Sequence, residues 1–286
     1  PFARTAGTVG EHLLAAQYAA DLCFLAYNSD QVDRPPATWA QVLALHATYL
    51  LPLGASEGAV RDAFLPQYLA LGGRLVDRNG APYLDSTLVS AILEVYASAR
   101  ASGLLPDAGL QLRDASDCWP VYLAGQYALT NVSSWDYGRE RAGGSGPIRA
   151  AALPTLSGAQ LSMSSGWGFA VVTQDARRQA ACAELLRLLF EPQAMAAWSR
   201  ATYHLPTRRA ALVLAVRDAE YLGFLQHLLE VTVPQPREPV YSLAVVALSE
   251  AVAGVSSGSL DPVAAAGLAA DKVRAARDGL SLEMQP

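Results

Sequence analysis

The chain alternates short apolar runs with longer stretches in which apolar residues recur at helical spacing. The run 22–27 (LCFLAY) is continuous and apolar, which is typical of a buried strand. Thr38 precedes a helical pattern, and its hydroxyl can accept a hydrogen bond from a free amide of the first turn. Asn79 and Gly80 mark a hairpin turn, because both residue types tolerate positive φ.

Helices are in excess along the rest of the chain. Ser86 is predicted to cap a helix over 87–102. The other predicted strands are 127–132, 148–153 and 167–172. The other predicted helices are 59–71, a short one from Asp114 or Ser116 to Ala124, 176–190, 192–200, 208–214, 218–230, 240–256 and 261–277. Alternation of strands and helices favours the α/β class, in which helices cover the sheets.

Composition narrows the classes of protein that fit. Hydrophobic residues make up 52% of the 286 residues and charged residues 16%, which is typical of a globular chain. The formal net charge of −5 argues against a nucleic-acid partner, because phosphate binding needs a basic surface. There is no apolar run of the roughly 18 residues that a membrane-spanning helix needs.

The sequence contains no recognisable catalytic or metal-binding motif. Its histidines are scattered, with neither HExxH nor GxSxG. Cys23, Cys118 and Cys182 are far apart and have no metal-ligand spacing. We therefore expect no catalytic residues, no metal site and no cofactor.

Several landmarks follow one another in order along the chain. They are LAYNSDQVDRPPATWAQV (25–42), ALGGRLVDRNGAPYLDS (70–86), DCWPVYLAGQYALTNVSSW (117–135), ALPTLSG (152–158), SSGWGFAVV (164–172), TYHLPTRRAAL (202–212) and PVYSLAVVALSEAVAGVSSGSLDPVAAAGLAADKV (239–273). Their order and spacing resemble the extracellular solute-binding protein family that includes maltose-binding protein. The resemblance covers about residues 20–277.

The resemblance implies an α/β fold of the type II periplasmic-binding-protein kind, with two lobes of mixed sheet flanked by helices. Residues 1–24 would be a remnant of the first lobe, 25–165 the second lobe, 166–215 a return segment of the first lobe, and 216–286 second-lobe helices and tail. The opening elements of the first lobe would precede Pro1. The resemblance thus implies a fragment with an incomplete first lobe.

The same resemblance implies a function in transport. The chain would be the solute-binding component of an ABC import system, not an enzyme. It would capture a sugar or oligosaccharide in a cleft between the lobes and deliver it to the permease subunits in the membrane. The family also implies a monomer in an extracytoplasmic location, either the periplasm or the cell surface as a lipoprotein.

Carbohydrate sites need aromatic rings against the apolar sugar faces and polar groups for the hydroxyls. Trp135 follows the predicted strand 127–132, at the strand end where open α/β sheets bind ligands. In the family, an aromatic residue here commonly lines the cleft. Ser134 and Asp136 are its polar neighbours. The alternative for Trp135 is a tryptophan packed within a loop.

Other candidate ligand-binding residues rest on the same resemblance. Trp167 lies beside Gly166, before a predicted strand, and the glycine permits close backbone approach. Tyr241 follows a proline-rich segment, where the family often has a ligand-facing aromatic residue. Tyr203 and Arg208 flank the Leu-Pro turn of the other lobe. Core packing remains the alternative for the aromatic residues, and an ordinary surface position for the arginine.

Alternative functions stay open at this point. The chain could be a ligand-sensing domain of a receptor or regulator, or a binding protein for a solute other than a sugar. A carbohydrate-active enzyme would require a pair of carboxylates about 5–10 Å apart in an aromatic cleft.

Overall fold

The computed structural model describes residues 7–9, 11–144, 146–235 and 239–283. The strands are β1 (Thr8–Val9), β2 (His12–Leu13), β3 (Ala16–Asn28), β4 (Tyr49–Leu50), β5 (Leu129–Ser133), β6 (Ile148–Ala151), β7 (Ser162–Phe169), β8 (Leu205–Pro206) and β9 (Thr232–Pro234). Mixed pairing of these strands, together with the helices around them, confirms the predicted α/β class.

The helices lie close to the segments predicted from the apolar pattern. They are α1 (Trp39–Ala44), α2 (Glu57–Ala59), α3 (Leu65–Ala70), α4 (Ser86–Ala101), α5 (Ala115–Val121), α6 (Ser134–Arg141), α7 (Ala176–Leu189), α8 (Pro192–Thr202), α9 (Arg209–Ala215), α10 (Ala219–Val231), α11 (Pro239–Ser256) and α12 (Pro262–Glu283). π-Helical turns cover Val60–Phe64 and Tyr122–Gln126, and a 3-10 turn covers Asp107–Gln111.

The chain folds into two compact units, each assembled from three separate segments. Unit 1 comprises the described residues within 1–24, 133–146 and 162–235. Unit 2 comprises those within 25–132, 147–161 and 236–286. The lobe boundaries that the resemblance implies stay a prediction.

The sheet of unit 1 is built on the first part of β3. This part pairs antiparallel with β7, where Leu22 lies opposite Ser164, and also with β8, where Ala20 lies opposite Leu205. β9 pairs parallel with β7. Tyr18, on β3, packs into a small buried cluster with Met195 of α8 and Ala211 of α9. This cluster packs α8 and α9 against β3.

The sheet of unit 2 uses the last residues of β3, Leu25–Asn28, which pair antiparallel with β6. β4 and β5 form a parallel pair, with Tyr49 opposite Leu129. The long helices α4, α11 and α12 pack on one another. Their buried faces and the buried Trp39 of α1 make up a large part of this unit's core.

Two local predictions are wrong in detail. The strand predicted at 167–172 both begins and ends earlier in the structure, where β7 runs from Ser162 to Phe169. The cap of α4 is Asp85, not Ser86: the Asp85 carboxylate accepts hydrogen bonds from the amides of Thr87 and Leu88. The cap predicted at Thr38 is confirmed, and it forms a capping box with Gln41.

The described parts of the chain contain no helix that combines the length and the hydropathy needed to cross a bilayer.

Candidate functional site

A partly buried acid–histidine pair lies in unit 1. The Nδ1 atom of His204 is 2.8 Å from Oδ2 of Asp21. Asp21 is on β3, and His204 is in the turn between α8 and β8. β8 pairs antiparallel with β3, and Leu205 lies opposite Ala20. His204, which precedes β8, therefore lies beside Asp21, which follows Ala20. The strand register therefore brings these two side chains together.

The turn before β8 is fixed by its own backbone. Tyr203 ends α8 in the left-handed conformation, with a φ of 65°, and its amide donates to the carbonyl oxygen of Ser199 at 2.7 Å. The Ser199 hydroxyl donates to the carbonyl oxygen of His204 at 2.6 Å. A residue other than glycine at positive φ is uncommon, so this turn depends on the packing around it.

Asp21 has a second polar neighbour on α6. The hydroxyl of Ser134 donates to Oδ1 of Asp21 at 3.3 Å and accepts from the amide of Leu22 at 3.0 Å. Burial raises the pKa of Asp21 above its usual range, and the neighbouring His204 partly offsets this rise. When Asp21 is ionised it can only accept, so the Nδ1 atom of His204 then carries the proton.

Aromatic rings surround His204. We call Tyr18, Trp135, Trp167, Trp198 and His204 the aromatic cluster. The rings of Trp198 and Trp135 lie nearly parallel to the His204 ring, at 17° and 24°, with centroids 5.8 and 6.1 Å away. Trp167 meets Trp198 edge-on, at 82° and 5.1 Å. Tyr18 packs against Trp198 at 5.0 Å.

One member of the aromatic cluster reaches the surface. Trp167 is 45% exposed, whereas Trp135 and Trp198 are half-buried and Tyr18 is buried. The exposed apolar face of this ring suits a flat apolar ligand surface.

Trp135 lies in the first turn of α6, directly after the end of β5, so it follows the strand as predicted but lies in a helix and not in a loop. Ser133 ends β5 and caps α6 by accepting from the amide of Asp136, so the helix begins directly after the strand. The Trp135 indole Nε1 donates to the carbonyl oxygen of Thr202 at 2.9 Å. The guanidinium of Arg139 lies 4.5 Å from the centroid of the Trp135 ring. These contacts hold the indole in one orientation.

Asp136, also a predicted ligand-binding residue, is 2% exposed. Its carboxylate accepts from the Ser133 hydroxyl at 2.8 Å and from the Arg139 guanidinium at 3.3 Å. The structure thus gives this carboxylate a role in holding the start of α6.

Trp167 and Gly166 lie within β7, not before it. A Cβ atom at Gly166 would lie 2.1 Å from the carbonyl oxygen of Ala19 on β3. The close approach that the sequence predicted is therefore an approach to the neighbouring strand. With the glycine in place, Trp167 can pair with Ala19 and project its ring into the aromatic cluster.

The remaining predicted residues separate into two groups. Ser134 and Tyr203 line a cavity of about 480 Å³ in unit 1. Arg208 is exposed and donates to the carbonyl oxygen of Phe190. Tyr241 belongs to unit 2 and is 5% exposed. Within unit 1 the structure therefore gathers Trp135, Trp167 and Ser134 around the acid–histidine pair, but not Arg208. The role predicted for Tyr241 stays a prediction.

The sequence reasoning missed Asp21, Trp198 and His204 as members of this site. Asp21 is a lone charge inside the apolar stretch AQYAADLCFLAY, and such a charge in a buried strand calls for a partner. Trp198 and His204 lie six residues apart on either side of a helix end, which is a weaker signal. In the described part of the chain, no group of His, Cys, Asp and Glu could hold a metal ion.

Solved structures with similar folds are known. Maltose-bound MalE3 of T. maritima has a TM-score of 0.81 and 17% identity, over 96% of this chain and 75% of that chain. The GacH receptor of Streptomyces glaucescens has a TM-score of 0.77 and 22% identity, over 97% and 74%. The cyclic alpha-maltosyl-1,6-maltose binding protein of Arthrobacter globiformis has 0.78 and 17%, over 97% and 75%.

This likeness confirms the predicted periplasmic-binding-protein-like fold. A search of curated protein sequences finds no match. A family model described as bacterial extracellular solute-binding protein matches residues 2–219, which is most of the chain. The resemblance predicted from the sequence is thereby confirmed, and the chain belongs to the bacterial extracellular solute-binding protein family.

Proposed function

We propose that this chain is the solute-binding component of an ABC import system and that it captures a sugar or oligosaccharide. The aromatic cluster of unit 1 would form a wall of the binding site. The observation that carries the proposal is the exposed ring of Trp167 beside the half-buried rings of Trp135 and Trp198. Stacked indoles cover the apolar faces of a sugar, and nearby polar groups can bond its hydroxyls.

Three further points support a carbohydrate. The carboxylate of Asp21 contacts the aromatic cluster through His204, and its pairing with His204 and Ser134 leaves little free negative charge for a polyamine. MalE3 of T. maritima is maltose-bound, and the GacH receptor was solved with acarbose. MalE of Bdellovibrio bacteriovorus, with a TM-score of 0.72 and 17% identity, is bound to maltotriose.

Delivery of the solute to a membrane permease belongs to the same proposal, as does a monomeric state. The family is extracellular, which supports an extracytoplasmic location. The periplasm and the cell surface are the two settings proposed within it. A solute other than a sugar is an outcome that the following test can return. A ligand-sensing domain of a receptor or regulator is the alternative role for the same binding.

Isothermal titration calorimetry with solutes of different classes tests the proposal. The panel is maltose, maltotriose, spermidine and glycine. We expect saturable heat from at least one of the neutral sugars and none from spermidine or glycine. Binding of spermidine or glycine alone would contradict the carbohydrate assignment.

A matched pair of variants links the heat to the aromatic cluster. Trp135→Ala should weaken sugar binding about tenfold or more, because it removes one stacking face. Tyr83→Ala removes a 41% exposed aromatic residue of unit 2 that lies outside the aromatic cluster, and it should bind as the parent does. Equal affinity in all three proteins would contradict the role of the aromatic cluster.

A further inference from the structure

Unit 1 contains a second concave site, the 480 Å³ cavity that Ser134 and Tyr203 help to line. It lies between α6, the end of α8 and the stretch that joins α9 to α10. Its volume is within the range of small-molecule sites, roughly 300–1,000 Å³. We call this cavity the arginine pocket, because Arg141, Arg200 and Arg217 line it.

Positive charge exceeds negative charge in the arginine pocket. The three arginines face one carboxylate among the described lining residues, that of Asp218. Asp218 is an ion-pair partner of Arg141 and also caps α10 by accepting from the amide of Tyr221 at 2.8 Å. These hydrogen bonds keep the pKa of Asp218 below its usual range, so the carboxylate stays ionised and paired. After this pairing, the lining of the arginine pocket carries two positive charges in excess.

The two remaining arginines have donors to spare. Among the residues that the structure describes, Arg200 donates once, to the carbonyl oxygen of Leu214 at 2.9 Å, although a guanidinium carries five N–H donors. Arg217 is exposed and makes no hydrogen bond or ion pair within the described chain. Two guanidinium groups that line one pocket and have unused donors match the oxygens of a carboxylate or phosphate.

A buried hydroxyl adds a further donor to the same lining. Tyr221 is 7% exposed, and its hydroxyl has no hydrogen-bond partner in the described structure. Burial raises the pKa of Tyr221, so the hydroxyl keeps its proton. A buried polar group without a partner is costly, and ligands or water normally satisfy it. The lining also contains the hydroxyl groups of Ser134 and Ser199 and the apolar side chains of Leu205 and Val216.

We propose that the arginine pocket binds a small organic anion, a carboxylate or phosphate ester carried on an apolar body. The anionic oxygens would accept from Arg200 and Arg217, and the apolar body would lie against Leu205 and Val216. This inference goes beyond the capture of a sugar. The arginine pocket would be a second ligand site of the protein.

Four probes separate charge from shape. Phenyl phosphate and benzoate carry the anion on a ring, benzyl alcohol carries the same ring without charge, and inorganic phosphate carries charge without the ring. By isothermal titration calorimetry at low salt, we expect phenyl phosphate or benzoate to bind at least about tenfold more tightly than the other two probes. Equal affinity for benzyl alcohol would overturn the anion assignment, and equal affinity for inorganic phosphate would overturn the apolar contribution.

Variants locate the binding within the arginine pocket. Arg217→Gln and Arg200→Gln should each weaken phenyl phosphate binding about tenfold. Arg209→Gln is the matched control, because Arg209 is an exposed arginine of α9 that pairs with Glu230 and does not line the pocket. Absence of phenyl phosphate and benzoate binding to the folded protein, or equal losses in all three variants, would overturn the proposal. The maltotriose titration is independent, so failure of either site can be told from failure of the other.

Discussion

Asp21 and His204 lie 183 positions apart in the chain, and their side chains meet at 2.8 Å in unit 1. The pairing of β8 with β3 brings the two side chains together, because Leu205 lies opposite Ala20. Trp135 and Trp198 lie nearly parallel to the histidine ring. The acid–histidine pair is thus the polar centre of the aromatic cluster.

The pair should make stability depend on pH. The pKa of Asp21 is raised by burial, so the folded protein binds its proton more tightly than the unfolded chain does. The associated stability is present below the ordinary carboxyl pKa, near 4, and is lost as the pH rises through the raised value. Relative to Asp21→Asn, the free energy of unfolding of the parent should fall over that window. Urea denaturation from pH 3.5 upwards, in steps of about half a unit, measures it.

A second variant tests the cause of this dependence. His204 favours the ionised form of Asp21. In His204→Gln the pKa of Asp21 should rise further, and the free energy of unfolding should continue to fall up to a higher pH. A free energy of unfolding of the parent that rises relative to that of Asp21→Asn as the pH increases would contradict this account.

The first turn of α4 provides a test of helix capping. Asp85→Ala should lower the free energy of unfolding by about 1 kcal/mol, because two amides lose their acceptor. Ser86→Ala, one position later and exposed, should change it by less than about half of that. Urea unfolding of both variants decides which residue is the cap. A larger loss of stability for Ser86→Ala than for Asp85→Ala would contradict the capping role of Asp85 and support Ser86 as the cap.

The close approach of β7 to β3 can be tested with two glycines of unit 1. Gly166→Ala should cost about 1–3 kcal/mol, because its Cβ would meet the carbonyl oxygen of Ala19 at 2.1 Å. Gly223→Ala is the control, since nothing lies within 4 Å of the added Cβ in the middle of α10. It should gain up to about 1 kcal/mol from helix propensity. Thermal unfolding compares them, and equal effects would contradict the strand contact.

Local pattern predicted much of the fold. The helix predicted at 176–190 is α7, Ala176–Leu189, and the cap at Thr38 is in place, since both depend on neighbouring residues alone. The start of β7 was missed because its serines have the composition of a loop. Ser162 and Ser164 are buried there, and their hydroxyls donate to the carbonyl oxygens of Cys23 and Val233.

Only those residues of the candidate site that lie in local sequence landmarks could be predicted. Trp135 and Trp167 could be proposed from the family resemblance, since each lies in a recognisable landmark. Asp21 and His204 could not be paired from sequence, because strand register over 183 positions sets their contact. No local pattern encodes such a register.

Trp167 offers the most direct test of carbohydrate binding, because it is the exposed ring of the aromatic cluster. The measurement is tryptophan fluorescence during titration with maltose and maltotriose, with iodide quenching at each end point. We predict a saturable blue shift and reduced iodide quenching, both lost in Trp167→Ala, as a sugar covers the indole. No saturable change in the folded protein, or a change that persists in Trp167→Ala, would contradict a sugar site at the aromatic cluster.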